Sequence, residues 1–472
     1  MELKNYDLTG LKKLQLEKTI TVAETFEYFY DRIEKFEPSL NAVYGIEKSR
    51  ILDNINKQSR LLEKTGKPFY LIPLPVKELS EVEGELTYYG SHAFKGNTAT
   101  FTRDAISLLI DNGFYTFGRS KACEFGLLPY TVSGVHGPTK NPWNTELNSG
   151  GSSGGSGSMV AAGLAPAAYA TDGGGSTRIP EAWCGAVGFK PSRGRLPTGP
   201  LLSYSFLATG GLITRSVRDQ ADVYSNIWTG QNQSGWIPPI NRSPLSTKRE
   251  PIKIGVMLNT PFSDELHPKA TSKVQDFAKA LSNVSDDKVE ITEKHFSFTN
   301  SKIYFDSFVT VWASLLNGLP SDKQFEPTTH YLLEIAEKTN SLELQRAFNN
   351  LSQVSKAIFK EFNDFDFILT PTLPNPPPQN KGLSDNLVNP SAMIREGFNV
   401  TPYTPWVNVM GLPALSMPFG YWDNGTPFGV QIISTKFEDD FLLEFSSKLE
   451  ERLGYETSNA EKSTISPVAP GF

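Results

Sequence analysis

The sequence predicts an α/β fold, a large mixed and twisted sheet covered by helices. Two observations carry this expectation. Short apolar runs bounded by Gly, Pro or Asn alternate with segments of helical periodicity along most of the chain. Hydrophobic residues make up 39% and charged residues 20% of the 472 positions, the balance of a chain that folds around a core. The length alone permits two or three domains or one large α/β unit, and no repeat of solenoid period breaks the chain into an array.

The elements follow in order. Residues 21–36, TVAETFEYFYDRIEKF, set Val22, Phe26, Phe29, Tyr30 and Ile33 at helical spacing, with Thr21 and Glu24 in capping-box positions, so an amphipathic helix is expected. Residues 69–77, FYLIPLPVK, are apolar with prolines two apart; this excludes a helix interior and suits an edge strand or extended segment ending at Lys77. Across 102–126 a helix closed by Asn112-Gly113 precedes a short strand at 114–117, and AAYAT (167–171) is strand-like. Residues 186–216 read as loop-rich, and 229–252, polar and rich in proline, as a linker. Beyond it KIGVML (253–258) reads as a buried strand, 267–283 as a helix and DKVEITEKHF (287–296) as a strand. DFDFILTPTLP (364–374) reads as a buried strand running into a loop, and 439–454 as a final helix stopped by Gly454.

Composition excludes several functions. Lys and Arg number 45 against 51 Asp and Glu, a net charge of −6 without long runs of one sign, so neither nucleic acid nor an anionic membrane is an expected partner. Cys123 and Cys184 stand far apart and outside any CxxC pattern, which points to buried small residues and away from disulfides or a metal site. The N-terminus MELKNYDLTG lacks a signal-peptide layout, and the weakly polar stretch 159–170 is too short to span a bilayer and contains Pro166. A cytoplasmic protein without metal or cofactor is expected.

Chemistry concentrates in two Gly/Ser knots. The first, SGGSSGGSGS (149–158), has the composition of a flexible linker, yet it runs into Ala-rich sequence that looks packed. It contains G-x-S-x-G twice, the pattern of a hydrolase nucleophile elbow, but the lead-in NPWNTELNSG (141–150) reads as a polar loop where an elbow needs a strand. His267, His295 and His330 stand in no turn or small-residue context that suggests a partner base. No Lys-Ser or Lys-Thr closes the run, so it is not a P-loop. The second knot, TDGGGSTR (171–178), ends a strand at Asp172 and follows it with three glycines and Ser176. Glycines let backbone amides converge beside a serine, the arrangement an oxyanion hole with its nucleophile requires; the plain alternative is a tight turn carrying a surface serine.

The conjunction of Lys77 after an apolar strand, Ser152 and Ser176 resembles the amidase signature family. GGSSGGSGSMVAAGLAPAAYATDGGGSTRIPEAWCGAVGFKP (150–191) is similar to its signature segment nearly position by position. PLPVKEL (73–79), GRSKACEFG (118–126), GPTKNPWN (137–144), DFILTPTLP (366–374) and NVMGLPALSMPFG (408–420) follow in family order. The resemblance implies one amidase domain over 1–472, with a signature core at about 70–216 and a variable, substrate-shaping region at about 230–360. It implies that Ser176 is the nucleophile of an acyl-enzyme, Ser152 the bridging residue after a cis peptide from Gly151, and Lys77 the base. Gly173, Gly174 and Gly175, with Ser153, Gly126, Asp172 and Arg178, would surround the oxyanion and substrate. No metal or cofactor is implied; the partner is a small-molecule amide, neither nucleic acid nor membrane, and a homodimer is compatible with it. The chemistry is coherent: a serine hydroxyl needs a base, a lysine is a base only when neutral, and burial disfavours its ammonium form. Two departures stand out, Glu78 after Lys77 where the family often has Asp, and Glu181 after Pro180 where a small residue is common.

Within the family, KPSRGRLPTGP (190–200) is similar to stand-alone hydrolases. The alternative is the glutaminase-type subunit of a tRNA-dependent amidotransferase, which usually carries Lys-Pro-Thr-Tyr-Gly-Arg there. Tyr403, Trp406 and Trp312 are expected in the core or as walls of an apolar pocket, which would suit organic amides, oligoamides of the aminohexanoate type among them.

Overall fold

A computed structural model describes residues 1–65, 71–197, 199, 206–228, 251–260, 268–284, 288–296, 301–383, 389–456, 462–463 and 465–472. Eleven strands form one sheet: β1 (Val43–Tyr44), β2 (Ile72–Lys77), β3 (Phe114–Ser120), β4 (Ala167–Asp172), β5 (Val187–Lys190), β6 (Thr209–Thr214), β7 (Ile252–Val256), β8 (Val289–Glu293), β9 (Phe367–Pro371), β10 (Ala414–Tyr421) and β11 (Pro427–Ser434). Their spatial order is β1-β3-β2-β4-β6-β5-β10-β11-β9-β7-β8. The β3-β2-β4 and β9-β7-β8 ladders are parallel and the pairings between and outside them antiparallel, so the sheet is mixed as expected.

The expected N-terminal helix is Val22–Leu40, and its capping box forms as read, Glu24 N–H to Thr21 Oγ1 and Thr21 N–H to Glu24 Oε2. The helices Pro268–Val284 and Asp439–Leu453 also stand close to their expected bounds.

Three expectations need correction. The proline-bearing segment is not an edge strand: β2 lies between β3 and β4 and is buried along its whole length. Residues two apart direct their backbone groups to the same side of a strand, so Pro73 and Pro75 withhold both donors from one neighbour only. Ile72, Leu74 and Val76 pair along β3, whereas the ladder with β4 shrinks to Val76–Tyr169. Residues 186–216 contain two central strands, β5 and β6, hidden from a reading by composition because glycines and short apolar runs interrupt them. The lead-in to the first Gly/Ser knot is also not all loop, since Asn144–Asn148 forms a strand in a small hairpin with Lys140–Asn141, outside the large sheet. Of the linker reading at 229–252, residues 229–250 lie outside the described residues, and Ile252 already belongs to β7.

Alternation along β4 shows how the sheet is packed. Ala167 and Tyr169 join the large core that also holds Phe26, Leu109, Phe189 and Leu442. Ala168 and Ala170 face the other way, against Val160 of helix Gly154–Ala161 and Ile213 of β6. Small side chains on that face let a helix of glycines and serines approach the sheet closely. A third cluster gathers the helices between 301 and 362 over Met257, Ile368 and Trp406. Among the described residues no helix is long and apolar enough to cross a membrane.

Candidate active site

The first Gly/Ser knot is packed, not a tether. A Cβ on Gly155 would stand 2.4 Å from the Lys121 nitrogen and the Ala42 oxygen, and one on Gly151 2.6 Å from the Tyr130 backbone. Only glycine admits such approach. The Gly151–Ser152 peptide is cis, and helix Gly154–Ala161 begins directly after it.

Lys77 closes β2 at the point where this turn meets the sheet. It is fully buried and donates to Ser152 Oγ at 2.7 Å and to Thr171 Oγ1 at 2.9 Å, with the Thr171 carbonyl at 3.4 Å. Burial pulls its ammonium down from 10.5 to about 8. Thr171 was not legible as a site residue, although it immediately precedes Asp172 in the second knot. Thr171 meets Lys77 through both its hydroxyl and its carbonyl, while the adjacent Asp172 turns to Arg178.

Asp172 organises the glycine loop. Its carboxylate accepts from Gly175 N–H at 2.8 Å, Thr177 N–H at 3.1 Å, Arg178 Nε and Nη2, each at 2.9 Å, and Asn408 Nδ2 at 2.8 Å. Asp172 and Arg178 are both fully buried. Although burial opposes ionisation, Arg178 and these donors hold the Asp172 carboxyl well below its usual range. Arg178 also donates to Gln431 Oε1 and Asn408 Oδ1, each at 2.6 Å, and Thr404 Oγ1 donates to the Gly174 carbonyl at 2.7 Å. Gly175 has φ +126°, and a Cβ there would lie 2.2 Å from Thr404 Oγ1.

A cavity of about 440 Å³ opens over this loop. Ser152, Thr171, Gly173, Gly174, Ser176 and Gly126 line it, so it brings together the two serines and part of the glycine loop. Other residues expected to meet substrate do not reach it. Asp172 and Arg178 are sequestered in their own ion pair. The Gly175 amide is consumed by Asp172, and Ser153 Oγ turns away to donate to the Thr171 carbonyl at 3.3 Å. Of the loop's residues Gly173, Gly174 and Ser176 line the cavity, and the amides that Asp172 takes are those of Gly175 and Thr177. Gly126 contributes close approach instead: its own N–H bonds to the Cys123 carbonyl, and a Cβ would stand 3.0 Å from Ser152 Oγ.

Of the expected aromatic walls, Trp312 lines the cavity. Tyr403 and Trp406 are fully buried away from it, Tyr403 donating to the Leu258 carbonyl and Trp406 packing on Phe362. Among the described residues no histidine lines the cavity; His295 and His330 are exposed, and His267 lies outside the described residues. Both cysteines are free and buried, and no group of three His, Cys, Asp or Glu among the described residues could hold a metal ion.

The two departures from the family pattern take different forms. Glu78, fully buried, accepts from Ala122 N–H at 2.7 Å and Tyr44 Oη at 3.0 Å and meets His136 Nε2 at 3.1 Å, bracing the chain just after Lys77. Glu181 is fully buried, its carboxyl lies against Gly188, and neither oxygen has a hydrogen-bond partner among the described residues. Burial pushes that carboxyl well above its usual range.

The family model described as Amidase matches residues 24–443. A protein of Synechocystis sp. (strain ATCC 27184 / PCC 6803 / Kazusa), provisionally named an amidase, is 30% identical over 94% of this chain and 88% of its own length. The 6-aminohexanoate-cyclic-dimer hydrolase of Pseudomonas sp. (strain NK87) is 26% identical over 94% of each chain. A solved structure of 6-aminohexanoate cyclic dimer hydrolase complexed with substrate superposes with a TM-score of 0.84 at 25% identity, covering 96% of this chain and 98% of the other.

Proposed function

Because the chain belongs to the amidase signature family, whose members hydrolyse amide bonds, we propose that it cleaves a small-molecule carboxamide through an acyl-enzyme on Ser176, with Ser152 as proton relay and Lys77 as base. The observation that carries this reading is a fully buried lysine 2.7 Å from Ser152 Oγ, on a cavity that Ser152 shares with Ser176. Protonated, Lys77 donates to Ser152; neutral, it accepts. Ser176 Oγ then attacks the carbonyl carbon while its proton passes to Ser152 Oγ and the Ser152 proton to Lys77 Nζ. The oxyanion forms beside the amides of Gly173, Gly174 and Ser176. As the C–N bond breaks, the Lys77 ammonium returns the proton through Ser152 to the departing nitrogen; water then attacks the ester with its proton passing through Ser152 to Lys77, and the acyl–Oγ bond breaks as that proton is returned to Ser176 Oγ. Asp172 and Arg178 act as positioning residues, since their ion pair holds the loop that carries these amides.

A fluorophosphonate reagent tests the assignment by peptide mass spectrometry. Labelling is expected at Ser176 and lost in Ser176→Ala. Labelling at Ser152 or Ser153 with Ser176 untouched refutes it.

A further inference from the structure

Resting on that catalytic reading, we infer that the substrate is an uncharged amide carrying a bulky apolar group, and that Trp312 with Leu315 selects for it. Most of the cavity's lining is apolar; besides Ser152, Ser176 and Thr171, the polar side chains on it are those of Tyr89, Arg103, Asn317 and Thr401. One wall is built by Phe308, Trp312, Leu315 and Leu316 from one segment and by Ile394 and Phe398 from another, and Phe308 carries it up to the glycine loop, its ring 3.8 Å from where a Cβ on Gly174 would stand. Phe308 ties the two together, its ring 5.1 Å from Phe398 edge to face and 6.1 Å from Trp312. Leu315 lines the cavity while remaining 47% exposed, so the apolar wall continues to the mouth.

Electrostatics reinforces the selection. Arg103 is the one charged side chain among the described lining residues, and it is already compensated. Its Nε donates to Glu81 at 2.8 Å, Glu81 is 5% exposed, and Tyr89 Oη donates to the same carboxylate at 3.0 Å. A substrate carboxylate or ammonium would shed water here and find no uncompensated partner, a loss that apolar contact does not offset. Two lining aromatics, Tyr89 at φ +53° and Phe125 at φ +49°, are held in the left-handed region and joined by Phe125 N–H to the Tyr89 carbonyl at 2.9 Å. Bulky residues take that conformation at a cost, and such sites cluster around ligands.

Phe308, Trp312, Leu315 and Leu316 fall in the variable region at about 230–360, whereas Ile394 and Phe398 lie beyond it.

The test uses the purified full chain with butyramide, hexanamide, octanamide and 4-phenylbutyramide, against 6-aminohexanamide and glutamine. kcat/KM is expected to rise roughly two- to fourfold per methylene along the alkyl series, with both charged amides at least about tenfold below hexanamide. Trp312→Ala should raise KM for octanamide and 4-phenylbutyramide roughly five- to tenfold with kcat within about twofold, and Trp312→Phe should recover most of the loss. Leu315→Glu, at an exposed position that folding tolerates, should raise KM for octanamide and lower it for 6-aminohexanamide. Charged amides turned over as well as hexanamide, or a Trp312→Ala defect that lowers kcat in equal proportion for every substrate, would overturn the inference. A parent protein labelled at Ser176 but indifferent to chain length defeats this inference alone, whereas failure of Ser176 to label defeats the catalytic reading beneath it.

Discussion

Replacing Lys77 by Met removes a charge from a fully buried site at nearly constant length, and its consequences for stability and activity point in opposite directions. Burial lowers the Lys77 ammonium from 10.5 to about 8, a difference worth roughly 3 kcal/mol. For a lysine with a lowered folded pKa, the fold is penalised wherever the unfolded chain's lysine is charged. The penalty is complete below about pH 8, shrinks as pH rises toward 10.5, and vanishes above it. Lys77→Met removes this penalty but also removes the hydrogen bonds to Ser152 Oγ and Thr171 Oγ1, at about 1 kcal/mol each. The variant should therefore be more stable than the parent by about 1 kcal/mol at pH 7 and less stable by about 2 kcal/mol near pH 11. Denaturant titrations across this range measure the crossing. Activity should fall by roughly 10² to 10⁴. In the parent, about a tenth of Lys77 is neutral at pH 7 and half at pH 8, so kcat/KM should rise roughly fivefold over that interval and level off by about pH 10. A stability difference independent of pH, or a parent kcat/KM flat from pH 6 to 10 with chemistry rate-limiting, would refute the reasoning.

Asp172→Asn leaves the fully buried Arg178 guanidinium without its counter-charge and should cost about 3–5 kcal/mol in denaturant titrations; a loss under about 1 kcal/mol would show that the donors around it, not the ion pair, hold the loop. Because the Asp172 carboxyl is held well below its ordinary 3.8, its share of stability is present at neutral pH and lost only in strong acid, and the variant should lack that acid-side decline. Glu181 has the opposite sign. With its carboxyl pushed well above 4.5, its favourable contribution is complete below that pH and is lost as pH rises, so Glu181→Met should gain about 1–3 kcal/mol at neutral pH and less at pH 4. An equal gain at both pH values would mean that shape, not ionisation, accounts for it.

The linear sequence determined the helices whose apolar spacing and caps are local, such as Val22–Leu40 with Thr21 and Glu24 and Asp439–Leu453 with its Gly454 stop, because those signals lie within a few residues of one another. It also pointed to Lys77, Ser152 and Ser176, since two Gly/Ser knots and a lysine ending an apolar run are unusual as a set. The tertiary structure decided what depends on neighbours distant in the chain. β2 became central because its prolines spare one ladder, and β5 and β6 were recognisable as strands only beside β10 and β4. The same holds inside the site. Asp172, Arg178, Gly175 and Ser153 sit in or beside the two knots, yet the packing of Asn408, Gln431 and Thr404 from the C-terminal third turns the ion pair inward and leaves other groups to face the cavity. Tyr403 and Trp406 were sorted from Trp312 in the same way. All three are aromatic residues in apolar surroundings, and only the fold determines which of them meets the core and which meets the space where a substrate would lie.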